Sequence, residues 1–391
     1  MPYVTLRLSP QFHQVSLEDL LDGALDPSLF TPVRNAPSST RTIWRDNLPR
    51  EFVNKFNIPG IVRKLELFVQ NNAALYEIPR EELYKHFEIP KTKIDPKIHR
   101  YETRPIDAPK DELKRALYDL KYIFESTGVA LYYTSAFAYI PNRCAVNAVQ
   151  RHQANQSKWF LKTDFHNFFG STTPDFVERM LRRIFPFSEI YKTEKGAQAL
   201  DRALDLCFLN GGLPQGTPIS PMLTNLMMIP IDHKLTNDLR DHGGIHFVYT
   251  RYADDMLISS KVNFRFQDVV RYINAVLEEF KAPFALKPQK TRYGSANGHN
   301  FNLGVILNDK NEITIGYKKK WAFKGQLYDY IQRRLREEPV SIGEVQQMAG
   351  VLSYYRSIEP DFWKSTIQRL NTKCGVDLER LIAADLKAVA V

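Results

Sequence analysis

Apolar residues recur at helical spacing over Pro59–Tyr76, where Ile61, Leu65, Leu67 and Phe68 mark one face. A second helix is expected from Pro109: Asp111 and Glu112 suit a first turn, and Leu113, Leu117, Leu120 and Phe124 follow at helical intervals. Between them, His86–Pro90 and His99–Ile106 flank the turn-like Lys93-Ile94-Asp95-Pro96-Lys97 and predict a basic β-hairpin. Trp159–Thr163 is a short apolar strand ending at Asp164, and Thr173-Pro174 offers an N-cap and a first-turn proline to a helix. Ile245–Tyr249 and Met256–Ser259 read as strands joined by the acidic turn Tyr252-Ala253-Asp254-Asp255. Val269–Phe280 is an amphipathic helix, Asn300–Leu307 a further strand, and basic and apolar positions alternate in long helices from about residue 318. No internal repeat or heptad run interrupts this order, so strands interleaved with helices predict an α+β or α/β core with a helical C-terminus.

Composition narrows the picture. The 391 residues are 43% apolar and 25% charged, which excludes a mainly disordered chain. The net charge of +9 points towards polyanionic partners. Cys144, Cys207 and Cys374 fit neither a disulfide framework nor paired zinc ligands, and the first ten residues lack the pattern of a signal peptide, so a cytoplasmic location is expected. Leu206–Ile231 is 26 residues without a formal charge, long enough to cross a bilayer. Its four prolines and three glycines would break such a helix repeatedly, so the run reads as buried loop and helix, with no membrane partner.

The acidic turn is where chemistry becomes visible. Successive strand side chains face opposite ways, so only a tight turn lets Asp254 and Asp255 approach one centre. Asp164, also at a strand end, supplies a third carboxylate. Three carboxylates with open positions suit magnesium, which prefers oxygen ligands and shares its shell with water and phosphate. A solvated hairpin turn is the plain alternative, because acidic turn residues are common.

The surroundings decide between these readings. Asp164-Phe165-His166-Asn167-Phe168-Phe169, then Leu213-Pro214-Gln215-Gly216-Thr217-Pro218-Ile219-Ser220-Pro221, then the acidic turn resemble the successive motifs of the reverse transcriptase palm. Arg104-Pro105-Ile106, Lys290-Thr291 and Leu303-Gly304 extend the resemblance over about residues 86 to 370, in the style of bacterial retron and group II intron enzymes and of defence-associated reverse transcriptases. Asn147-Ala148-Val149-Gln150-Arg151-His152 is one residue longer than the Asn-Ala-x-x-His of retron enzymes, and Leu303-Gly304-Val305 stands where they tend to carry Val-Thr-Gly. The resemblance implies an α+β right-hand polymerase: an N-terminal extension (1–85), fingers with the start of the palm (86–163), palm with a fingers insertion (164–310) and a helical thumb (311–391).

It also implies residue roles. Asp164, Asp254 and Asp255 resemble the catalytic metal-binding triad for two Mg2+ ions, with Mn2+ as a substitute, and the Phe165 carbonyl would complete one ion's shell. Phe169 resembles the aromatic gate that rejects ribonucleotides, against a plain reading as core packing beside Phe168. Gln215 and Gly216 resemble the segment contacting the incoming nucleotide, and Arg104 the residue gripping its triphosphate, with Lys97 and Arg100 as weaker candidates. Lys290 resembles the lysine near the leaving pyrophosphate, able to act as general acid if its pKa is lowered or the proton transfer is strongly coupled. Leu303 and Gly304 resemble the primer grip, while Lys318, Lys319, Lys320, Lys324, Arg333, Arg334 and Arg336 would let a thumb follow duplex phosphates.

The implied activity is RNA-directed DNA synthesis on a cognate structured noncoding RNA, in anti-phage defence, with dNTPs, RNA template and DNA product as ligands. A homo-oligomer or an effector protein are further partners the reading leaves open. The 87 residues after Gly304 accommodate a thumb but no RNase H domain besides, so template removal is expected from another protein. Two other functions stand beside it: template-independent or protein-primed polymerisation, for which the 19 tyrosines offer hydroxyls, and an inert RNA-binding scaffold.

Overall fold

The computed structural model describes residues 3–8, 39–44, 48–95, 100–296 and 301–388. Strands β1 (Tyr3–Leu8) and β2 (Ser39–Trp44) pair antiparallel, and β3 (Tyr84–Asp95) and β4 (Arg100–Pro109) form a long hairpin. Strands β5 (Trp159–Asp164), β6 (Phe247–Tyr252), β7 (Asp255–Ser260) and β8 (Arg292–Ser295) make a four-stranded sheet ordered β6-β7-β5-β8 with every pairing antiparallel. The antiparallel order selects α+β over α/β.

The apolar strand β5 earns its central place because both its faces are covered. Leu161 joins the large core shared with the helices, whereas Phe160 points the other way into a smaller cluster with Val149, Leu257, Val305 and Leu307. Helix Ile58–Asn71 is capped by Asn57, whose side chain accepts from the Gly60 amide, and buries Ile61, Leu65 and Phe68. Leu67, expected on that face, is instead exposed. Phe52, Leu75 and Leu83 join the same core, so the described part of the first 85 residues braces the sheet's helices. Helix Pro174–Leu181 starts as expected, with Thr173 Oγ1 accepting from the Phe176 amide.

The uncharged run Leu206–Ile231 becomes loop, helix Ser220–Met227 and the start of helix Ile229–Arg240, with Pro221 and Pro230 in first turns. No described helix is long and apolar enough to cross a membrane. Helices Tyr317–Leu335, Ile342–Ile358, Pro360–Cys374 and Leu378–Ala388 close on their own core of Phe323, Leu327, Val345, Ile367 and Leu378.

One expectation is corrected. Asn300–Leu307 is not a single strand but β9 (Phe301–Asn302) and β10 (Val305–Leu307), folded back on each other, with β11 (Ile313–Thr314) beyond; Asn300 itself lies outside the described residues. The cause is the turn: Leu303 and Gly304 have φ of 53° and 90°, the pair of positive values that a two-residue hairpin loop of type I′ demands. An apolar alternation cannot reveal a reversal whose turn carries a leucine.

The hairpin of β6 and β7 rests on a fully buried ion pair. Arg251 Nη2 and Nε donate to Asp232 Oδ2 and Oδ1 at 2.7 and 3.0 Å, and the Tyr249 hydroxyl donates to Oδ1 at 2.8 Å. Both side chains are wholly inaccessible. Burial alone would lower the Arg251 pKa, but the Asp232 charge and hydrogen bonds outweigh it and raise it. Such a pair need not add net stability, yet leaving one member unpaired is costly. Asp232→Ala should therefore destabilise the fold by about 3–5 kcal/mol, read as a lowered urea midpoint. A loss below about 1 kcal/mol would show that the guanidinium finds water and is not buried.

Candidate functional site

The strand register assembles the acids. Asp164 ends β5 directly opposite Asp255, which begins β7, and residues so paired in an antiparallel ladder point to one face. Asp254 occupies the two-residue turn between Tyr252 and Asp255, and its carbonyl accepts from the Phe165 amide at 3.2 Å. The turn is tighter than the sequence suggested, because β6 runs on to Tyr252. Ala253 takes φ of 56°, a place usually left to glycine, and Arg251 Nη1 holds its carbonyl at 3.0 Å.

Three lysines stand against two of the three carboxylates. Lys290 Nζ donates to Asp164 Oδ2 at 2.8 Å, Lys287 Nζ lies 3.3 Å from Asp164 Oδ1, and Lys162 Nζ lies 3.3 Å from Asp255 Oδ1. Among the described residues no lysine lies at contact distance from Asp254: its burial, then the charges of Asp164 and Asp255, push its pKa up, with Lys290 the cation that opposes. For Lys290, burial opposes protonation, but its hydrogen bond to Asp164 and the charges of Asp164, Asp254 and Asp255 prevail and raise its pKa. That is the direction opposite to the one a facile general acid requires.

Among the described residues no three His, Cys, Asp or Glu side chains are gathered into a ready cation cage. The donor set nevertheless fits a hard divalent ion. It consists of carboxylate oxygens, Asp164 Oδ1 is buried with no hydrogen-bond partner, and Asp254 carries uncompensated repulsion that a cation would relieve.

Beside the acids, Phe168 turns into the core and stacks on Phe165 at 5.2 Å, while Phe169 stays half-buried at its rim. The Phe169 carbonyl accepts from the Leu213 amide at 3.0 Å, which ties the gate candidate to the Pro214-Gln215-Gly216 segment. The Gln215 carbonyl in turn accepts from the Asp107 amide at 2.9 Å, on β4. Gly216 has φ of +119°, and a Cβ there would meet Ile106 Cγ2 at 2.9 Å and the Asp107 carbonyl at 3.0 Å. The close approach that glycine permits is thus to the hairpin strand that carries Arg104, which is exposed and pairs with Ile89 in the ladder. Lys97 and the side chain of Arg100 lie outside the described residues.

Farther out, the Leu303-Gly304 turn is held by Lys319, whose Nζ donates to the Gly304 carbonyl at 2.7 Å. Lys320 pairs with Glu359, Arg333 with Glu344 and Arg334 with Asp385, so these cations are engaged within the helical unit. Arg336 lies 3.7 Å from Glu338. Lys318 and Lys324 are exposed, the latter over the Phe362 ring at 5.3 Å.

Several participants were missed in the sequence. Lys287 and Lys162 carry no local signal, since a basic residue on a strand or turn is ordinarily just solvated. Arg251 did carry one: a charged residue inside an otherwise apolar strand, with Asp232 the first charge after the long uncharged run. His152, noted only as a family motif, is a buried cross-brace between the hydroxyls of Thr250 and Ser259, with its pKa pushed down to about 3 by burial, so the ring is neutral. Asn147 caps its helix by accepting from the Cys144 amide at 2.9 Å.

Comparison with known proteins agrees with this geometry. The family model for reverse transcriptase (RNA-dependent DNA polymerase) matches residues 89–323. The chain is 24% identical over 233 residues to the retron Ec73 reverse transcriptase of Escherichia coli, covering 59% of this chain and 72% of that one. It is 24% identical over 305 residues to the Escherichia coli retron Ec83 reverse transcriptase, covering 75% and 87%. With the retron Mx162 reverse transcriptase of Myxococcus xanthus it shares 26% identity over 276 residues, covering 66% and 55%. Among solved structures, apo telomerase from Candida tropicalis truncated from its C-terminal domain aligns at 13% identity and a TM-score of 0.39, over 61% of this chain and 55% of that one, a likeness too distant to bear on function. With more than half of its length matched, across the stretch that holds the acidic hairpin, the chain belongs to the reverse transcriptase (RNA-dependent DNA polymerase) family.

Proposed function

We propose that this RNA-directed DNA polymerase copies a structured cognate noncoding RNA into DNA at the centre built from Asp164, Asp254 and Asp255, and that it serves in anti-phage defence. The observation that carries the catalytic part is the register that sets Asp164 of β5 opposite Asp255 of β7, with Asp254 in the β6–β7 turn immediately before Asp255. The likeness to retron enzymes supports the choice of template, and the defence role rests on the resemblance alone.

Divalent cations held by the three carboxylates and the Phe165 carbonyl, Mg2+ by preference, would favour the deprotonated primer 3′ hydroxyl and neutralise the departing pyrophosphate. The rest belongs to the chain's own groups. Lys290, kept protonated by the acids around it, offers positive charge to the leaving phosphates once Asp164 is otherwise engaged. Arg104 on β4 grips the triphosphate as a fixed cation, and the Gly216 contact sets the distance between that hairpin and the Pro214-Gln215-Gly216 segment. Phe169 forms the floor beneath the sugar, where a 2′ hydroxyl would meet the ring. Leu303 and Gly304 present backbone to the primer end, and the exposed Lys318 and Lys324, with Lys319, Lys320 and Arg333 nearby, give the helical unit its positive face. Fingers (86–163), palm (164–310) and thumb (311–391) are the division that follows.

Sequencing the nucleic acid that copurifies with the protein, together with its extension products, tests the choice of template. A discrete structured RNA with complementary DNA is expected; untemplated homopolymer, or RNA with no product given Mg2+ and all four dNTPs, would sink the proposal. Asp254→Asn combined with Asp255→Asn should reduce incorporation by about 10³-fold or more while RNA affinity in filter binding is retained. Incorporation persisting in a clean preparation would contradict the role of the acids. Phe169→Val should raise ribonucleotide relative to deoxynucleotide efficiency on matched templates. An unchanged ratio in a folded, active variant would reduce Phe169 to core filling.

A further inference from the structure

Between helix Asp111–Glu125 and helix Ala145–Ala154, the loop stretch Val129–Ile140 is almost wholly interior. Phe137, Ala138 and Ile140 are buried, yet Tyr139 among them is 56% exposed. Its φ is 61°, a left-handed value that is an outlier for a bulky residue and persists only where the surroundings impose it. Those surroundings are explicit. Asn225 Nδ2 donates to the Ala138 carbonyl at 2.8 Å, the Phe137 amide donates to the Arg251 carbonyl at 2.9 Å, and Arg143 Nη1 donates to the Ala136 carbonyl at 2.7 Å. Asn225 Oδ1 also accepts from Arg251 Nη2, so the group that holds the acidic turn holds this loop as well.

The ring so presented meets the site. It stands edge-on to Phe169, with centroids 6.3 Å apart and planes at 75°. Burial pushes the phenol's pKa up, the charges of Asp254 and Tyr252 add to this, and Arg104 opposes it, so the hydroxyl lies within electrostatic reach of both the turn carboxylate and the hairpin arginine.

We infer that Tyr139 is a positioning residue for sugar selection: its ring backs Phe169 and keeps that side chain from tilting away from an incoming 2′ hydroxyl. A steric gate discriminates only if it is stiff, because a ring free to rotate accommodates the extra oxygen at little cost. Phe169 is only half-buried, and besides the buried Phe168 at 5.8 Å it meets the Tyr139 ring, so the Tyr139 contact adds restraint to a side chain that the core alone does not enclose. The inference rests on the reading of Phe169 and the acids given above.

Single-nucleotide extension with each dNTP and its ribonucleotide counterpart, on one primer and template, tests it. Tyr139→Ala should lower the preference for deoxynucleotides about two- to tenfold, the range an aromatic pair supplies, and raise the KM for dNTP more than it lowers kcat. Tyr139→Phe should keep the preference, since the ring and not the hydroxyl carries the restraint. In a Phe169→Val background, Tyr139→Ala should change the preference no further. Tyr139→Asn, a residue suited to the left-handed backbone, gives the same readout if the alanine variant folds poorly. An unchanged preference in an active Tyr139→Ala or Tyr139→Asn protein overturns the inference, and so does an equal loss in the Phe169→Val background. If the parent makes no templated product, or the doubly substituted Asp254 and Asp255 variant still does, the reading beneath it falls first and takes the inference with it.

Discussion

The arrangement of the site depends on one buried charge pair. Arg251 and Asp232 lie outside the water's reach, where an unpaired ion would cost several kcal/mol, so neither can move without the other. The guanidinium donates from all three of its nitrogens, to Asp232, Asn225 and the Ala253 carbonyl, which binds together the helix Ile229–Arg240, the helix Ser220–Met227 and the turn carrying Asp254. A hydrophobic residue of similar size could fill the space, but it could not hold a carbonyl whose residue sits at positive φ. The pair is better understood as fixing geometry than as adding stability.

Around that fixed turn, the electrostatics are those of a site that keeps its charge balance without wasting its carboxylates. Asp164 and Asp255 are each met by lysines, while Asp254 is left to repulsion and burial. Lysine is suited to this work: an ammonium on a flexible four-carbon stem releases a carboxylate more readily than a bidentate arginine would. The contrast with Arg251 is instructive. Arginine is used where the geometry must not change, and lysine where the partner must become free.

A chain of backbone contacts links the parts proposed above to handle the substrate. Phe169 accepts from Leu213, Gln215 accepts from Asp107, and Gly216 lies against Ile106, so Phe169, the Pro214-Gln215-Gly216 segment and the basic hairpin are coupled through main-chain hydrogen bonds rather than through long side chains. Main-chain contacts leave little rotamer freedom, which is what the proposed discrimination between two sugars demands. A Cβ at position 216 would push the hairpin away from the Pro214-Gln215-Gly216 segment and lengthen the chain of contacts.

The sequence by itself determined the elements and the chemistry. Helical and strand periodicities are local, so the helix from Ile58, the capped helix from Thr173 and the strand ending in Asp164 were all legible, as were the acids and glycines whose order resembles a polymerase palm. Where local signals competed, the reading slipped: Leu303 at positive φ hid a reversal, and Leu67 looked as apolar as its buried neighbours. Only the tertiary structure decided which charges meet. Lys287 and Lys290 reach Asp164 across more than a hundred residues, Arg251 finds Asp232 on a helix, and Tyr139 comes to face Phe169. No period in the sequence encodes such pairings, because they follow from how the sheet and helices pack, and their energies depend on burial that exists only once the fold has closed.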